Sequence, residues 1–196
     1  MKHSPLTVTL IALALLSTAC TPESDTASAP PPTPQQVADS TPYICKFVPE
    51  QAFRLISSTK GLFVEKTRGN ESSGQCWAPD TTPRPLEVGW LQVGDGTSQE
   101  HLDFLMDGRR DLYTRHGGVR LPADLGDGMA AQVTNSPLDD QPYRVSAKFK
   151  CGGKERLIDI FLAKVAKGRD AMKDLIALMR IAQKRYSEVY DCTRDE

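Results

Sequence analysis

Residues 85–115 read PLEVGWLQVGDGTSQEHLDFLMDGRRDLYTR and contain a change of hydrophobic period. Over 85–93, Leu86, Val88, Trp90 and Gln92 fall on one side and Glu87, Gly89, Leu91 and Val93 on the other, the alternation of a strand. From Thr97 onward the spacing becomes helical, with Leu102, Leu105, Met106, Leu112 and Tyr113 on one stripe. Thr97 and Glu100 predict a capping box, in which hydroxyl and carboxylate satisfy the free amides of a helix start reciprocally. The helix runs to about Arg115, and Gly117 is its expected stop.

The same reading extends in both directions. On the N-terminal side, Pro49 suits the first turn of a helix over 49–58, with Phe53 and Ile56 inward and Gly61 as terminator; strands are expected at 62–67 and 74–78. On the C-terminal side, strands are expected at 129–133, 143–150 and 156–165. A long helix then spans 169–190, with Met172, Leu175, Met179, Ala182, Tyr186 and Val189 inward and Lys173, Arg180 and Lys184 outside. The order is helix, three strands, helix, three strands, helix. The economical packing is an α+β domain, an antiparallel sheet of about six strands with helices on one face.

Ahead of this domain the composition changes twice. Residues 1–19 place Lys2 before an apolar run from Leu6 to Leu16 and then small residues, the layout of a secretory signal. A run of about 11 residues covers roughly 16 Å as a helix, about half of a ~30 Å hydrocarbon core, too short to span. Leu16-Ser17-Thr18-Ala19-Cys20 resembles the lipobox of bacterial lipoproteins, which makes Cys20 the expected lipidation site and mature N-terminus. Residues 20–41 are rich in Pro, Ser, Thr and Ala, contain Pro30-Pro31-Pro32 and lack aromatic residues before the domain opens near Pro42, so they read as a disordered tether. A single globular domain is expected over 42–196.

Charge and cysteine parity narrow the function classes. With 24 Lys+Arg against 25 Asp+Glu and no basic run, the chain lacks the concentrated cationic surface that nucleic-acid binding needs. Setting Cys20 aside leaves Cys45, Cys76, Cys151 and Cys192, an even set suited to an oxidising compartment; no C-x-x-C occurs, so a zinc site is not indicated.

The lipobox, the Pro-rich tether, Cys45 shortly before Pro49-Glu50, the Gln75-Cys76-Trp77 segment, the turn Leu125-Gly126-Asp127-Gly128-Met129-Ala130 and the long final helix together resemble a family of actinobacterial envelope lipoproteins. A more distant likeness is to the extracellular sensor domains of mycobacterial receptor kinases, although no kinase domain is present. The resemblance covers nearly the whole chain and implies a disulfide-braced α+β sheet domain, a bridge between the first two domain cysteines, and no established enzymatic role. Four cysteines allow three pairings. Local bridges, Cys45 with Cys76 and Cys151 with Cys192, tie the first helix to the sheet and the C-terminus to the fifth strand, and are the expected set.

No constellation identifies a reaction, and no catalytic residue, metal or cofactor is indicated. His101 and His116 lie about 22 Å apart along one helix and cannot share a metal or relay there; His3 lies in the signal. His116 suits a dipole-stabilised imidazolium at a helix end. Ser72-Ser73-Gly74 lacks the nucleophile-elbow pattern, and Gly152-Gly153-Lys154 reads as a hairpin turn rather than a phosphate loop. Gly94-Asp95-Gly96 and Gly126-Asp127-Gly128 lack the spaced acids of a calcium loop, Asp139-Asp140 reads as exposed, and Trp77 and Trp90 read as core. The expectation is a lipid-anchored, extracytoplasmic, non-catalytic module that binds a protein partner or a small apolar ligand, with an envelope hydrolase or an inhibitor of another envelope protein as alternatives.

Overall fold

The computed structural model describes residues 35–135 and 140–193. The signal segment, Cys20, residues 21–34 and Asp139 lie outside them. In chain order the elements are a ribbon of β1 (Tyr43–Ile44) and β2 (Val48–Pro49), α1 (Glu50–Ser57), β3 (Lys66–Gly69), β4 (Ser73–Ala78), β5 (Leu86–Gln92), α2 (Gln99–Arg115), β6 (Val119–Arg120), a 3-10 turn (Ala123–Leu125), β7 (Asp127–Gln132), β8 (Tyr143–Cys151), β9 (Lys154–Leu162) and α3 (Ala171–Val189). The main sheet has the order β3-β4-β5-β9-β8-β7-β6. All its neighbours are antiparallel, so the α+β class and antiparallel sheet are as expected.

Two meanders meet where β5 pairs with β9, Val88 opposite Ile160 and Gly89 opposite Asp159. On β9, Ile158, Ile160 and Leu162 pack with Val145, Ala147 and Phe149 of β8 and with Leu175, Leu178, Met179 and Ala182 of α3. Phe53 and Ile56 of α1 join the same core. Leu157, on the other side of β9, packs with Leu102 and Met106 of α2. Tyr113 packs with Met129, Ala131 and Val133.

The helices therefore cover both faces, α1 and α3 on one and α2 on the other, which corrects the expectation of a single helical layer. The physical reason lies in the central strands. β9 is buried on both sides from Leu157 to Ile160, and an amphipathic α2 crossing from β5 to the far edge strand β6 supplies the second cover.

Other differences are local. α1 ends at Ser58, which takes the left-handed conformation (φ 52°) and donates its N–H to Arg54 O, so Gly61 is not the stop. Residues 62–65 are unpaired because Phe63 turns back onto Phe53, 5.2 Å between ring centroids, beneath the Arg54 guanidinium; β3 starts only at Lys66. The α2 cap is Ser98, whose hydroxyl accepts from His101 N–H at 3.2 Å, one residue later than the Thr97 box. β6 was not anticipated, and Val189 is exposed, whereas Leu178 and Ile181 are buried. Trp90 lies so close to β4 that a Cβ at Gly74 would stand 2.2 Å from its ring, which accounts for the glycine there.

Residues 35–41, read as tether, belong to the domain. Val37 packs on the core, Arg169 donates to Gln35 O at 3.1 Å, and Asp39 accepts from Lys184 at 2.6 Å and from Tyr43 at 2.7 Å. Lys184 also pulls Asp39 below the usual carboxylate range against the opposing effect of burial, which alone would raise it. The polar residues of this stretch thus find partners on α3 that composition does not reveal.

Both disulfides form as expected, Cys45–Cys76 and Cys151–Cys192, closing loops of 31 and 41 residues. Loops of this length constrain the unfolded chain by roughly 3.5–4 kcal/mol each in the chain-entropy model. Replacing either pair by serines should lower unfolding free energy by about that amount in urea titrations, with peptide mapping showing the other bridge intact.

Tyr186 supplies a second check. Burial pushes its phenol up to about 12 from an ordinary 10.0. A phenol kept neutral in the fold but free to ionise near pH 10 in the unfolded chain favours folding below pH 10, an advantage lost as pH rises from about 10 to about 12. The stability of wild type should therefore fall with a slope of up to about 1.4 kcal/mol per pH unit from this residue. Tyr186→Phe should flatten that decline in urea titrations at stepped pH.

Candidate functional site

α2 lies over β7, β8 and β9 and leaves the same face of β4 and β5 open beside it. One flank of α2, with Phe104, Leu105, Gly108, Arg109 and Leu112, forms a wall. Gly89, Leu91, Leu157, Asp159 and Phe161 form the floor. Two adjoining cavities of about 350 and 370 Å³ lie along this wall and share Leu105 and Arg109, so together they make one open trough.

At its centre is a closed polar network. Asp159 faces Ser146 on one side and Gly89 on the other in the strand register. Arg109 donates from Nε to Asp159 Oδ1 at 2.7 Å and from Nη2 to Oδ2 at 2.5 Å, a bidentate pair, and from Nη1 to Leu105 O at 3.0 Å. Ser146 Oγ donates to Asp159 Oδ1 at 2.5 Å, and Tyr113, 2.9 Å from Ser146 Oγ, therefore donates to it. Burial, reinforced by the nearby Asp159 charge, pushes the Tyr113 phenol well above its ordinary value. Burial alone would lower Arg109, but the Asp159 charge and hydrogen bonds outweigh it and raise the guanidinium.

This arrangement anchors α2 to the sheet and presents the edge of a guanidinium to the trough. It is not a nucleophile assembly, because the Ser146 proton is committed to a carboxylate saturated by Arg109. A methyl at Gly89 would meet Asp159 at 3.6 Å, an ordinary contact, so glycine there opens the floor rather than avoiding a clash.

The residues singled out from sequence take other places. His101 is exposed, and His116 caps α2 with its Nδ1 3.3 Å from the Thr134 N–H. Ser72 accepts from Gln92 Nε2 at 2.6 Å and donates to Asp95, binding the β4 approach to the Gly94–Gly96 turn. Gly152 and Gly153 have φ of 61° and 71° in the β8–β9 hairpin. Asp127 pairs with Arg110 at 2.6 Å. Trp77 and Trp90 are buried, with indole N–H groups donating to Asp80 at 2.5 Å and Asn70 O at 2.8 Å. Asp140 is exposed.

Among the described residues, the His, Cys, Asp and Glu side chains close enough to share a metal are Cys45, Glu65 and Cys76, and the two sulfurs are bonded to each other. Reading the sequence for motifs missed Arg109, Ser146 and Asp159. The signal available was Asp159 itself, a lone acid inside the run Leu157–Leu162, which burial on two sides obliges to find a partner. No protein-family model, curated protein or solved structure matches the chain.

The network separates by severity. Asp159→Ala, which strands Arg109 in a mostly buried position, should cost about 3 kcal/mol of unfolding free energy, whereas Tyr113→Phe, which removes one neutral hydrogen bond, should cost about 1 kcal/mol in the same urea titrations.

Proposed function

We propose that this chain is a lipid-anchored, extracytoplasmic, non-catalytic binding module whose trough beside α2 takes a small ligand with an apolar body. The observation that carries the reading is the trough itself. Its α2 end is lined by Phe104, Leu105, Leu112 and Phe161, Phe104 is 73% exposed on its rim, and its middle offers Arg109 to a polar end of the ligand. The two disulfides favour an oxidising compartment, and the lipobox-like segment ending at Cys20 supports anchorage by acyl chains, each buried CH2 contributing about 0.8 kcal/mol. Among the described residues no helix is long and apolar enough to cross a membrane. The resemblance to actinobacterial envelope lipoproteins agrees with this address.

Gly108 allows a direct test. It faces the trough from the middle of α2, and a Cβ there meets nothing within 4 Å. Gly108→Trp should fill the apolar end and weaken binding of a fluorescent long-chain fatty acid by at least about tenfold, while Gly108→Ala, which favours the helix by about 1 kcal/mol, should retain it. Failure of the wild-type chain to bind the probe, or equal binding by Gly108→Trp, would overturn the proposal.

A further inference from the structure

On the opposite face, under α3, Arg156 is 7% exposed, and its Nε and Nη1 find no acceptor among the described residues. The Tyr186 hydroxyl, on the ring that the guanidinium faces at 6.0 Å, is likewise buried without a partner. Tyr190 packs on Tyr186 with centroids 4.5 Å apart, and the Lys46 amine lies 3.4 Å from the Tyr190 hydroxyl and 5.2 Å from the Trp90 ring. Among the described residues neither Lys46 nor Arg156 has a carboxylate within ion-pair distance.

Lys46 is held in place. It and Cys45 both take left-handed backbone (φ 66° and 51°), a conformation costly for side-chain-bearing residues, and the Cys45–Cys76 bridge pins the turn. Aromatic faces stabilise the two cations in part, but they offer nothing to the in-plane N–H groups of a guanidinium.

We infer that Arg156, Lys46 and the hydroxyls of Tyr186 and Tyr190 form a binding site for a small oxyanion, a carboxylate or a phosphate group. Lys46 is exposed and Tyr190 half-buried, so these two are the members of the set nearest solvent. The donor set selects the class. Arg and Lys cannot accept, the Tyr190 oxygen already accepts from Lys46 and so has its proton free, and Tyr186 has no acceptor of its own. Four donors, two of them cationic, are complementary to an anion with several acceptor atoms. Glu71, on the β3–β4 turn, is the carboxylate whose field reaches the two tyrosines, and it adds to the effect of burial that raises both phenols. It is a competitor for the anion and not an ion-pair partner.

Calorimetric titration of the full-length chain with inorganic phosphate and, separately, with acetate tests this inference. Wild type should bind, Arg156→Met and Lys46→Met should each weaken binding at least about tenfold, and Glu71→Gln should strengthen it several-fold. Tighter binding of phosphate marks a phosphate-bearing ligand, and tighter binding of acetate a carboxylate. Lys46 is exposed, so its variant decides the matter even if Arg156→Met does not fold. Absence of binding to wild type, or unchanged affinity in Lys46→Met, would overturn the site. Binding by Glu71→Gln alone would also overturn it, showing Glu71 to be the native occupant.

Discussion

Burial of β9 on both faces is the constraint from which the rest of the architecture follows. A strand with apolar side chains pointing both ways must be covered twice, and at the centre of the sheet it must also pair on both edges. β5 and β8 supply the edges, α3 one cover and α2 the other. The acid in its buried stretch, Asp159, points toward α2 and is neutralised there by Arg109. The helix is thereby fixed in angle and position, and the trough is the part of the sheet that α2, so fixed, does not reach.

Local structure was legible in residues 85–115 because the period switches there from two to helical within a few residues. The same holds for the final helix and for the disulfide pairs, where proximity along the chain coincides with proximity in space. What was not legible depended on distant partners. Residues 62–65 look like a strand until Phe63 finds Phe53, and residues 35–41 look like a tether until Asp39 finds Lys184. The single helical layer failed for a related reason: Trp90 and Leu91 point to opposite sides of β5, and the alternation does not say which side faces water and which faces a helix.

The candidate sites were less legible still. The trough owes its space to Gly89 and Gly108, where side chains are missing, and no motif search registers a missing side chain. The cluster under α3 is assembled from Lys46, Arg156, Tyr186 and Tyr190, residues dispersed over most of the chain and individually ordinary. Arg156 is the first residue of the strand expected at 156–165 and carries no motif; only the register against Phe149 and the packing of Tyr186 place it inside.

The segment strapped along α3 sets how the domain meets a mechanical load. Gln35 is held at the start of the helix by Arg169, and Asp39 is held further along by Lys184. A pull from the N-terminal side therefore meets these two attachments before it reaches the rest of the domain. Beyond Tyr43 and Ile44 the chain meets Cys45, which is covalently joined to β4. Tension can strip about ten residues at most before it reaches β4, the strand next to the sheet's edge strand, so the first disulfide is the stop at which a load enters the sheet.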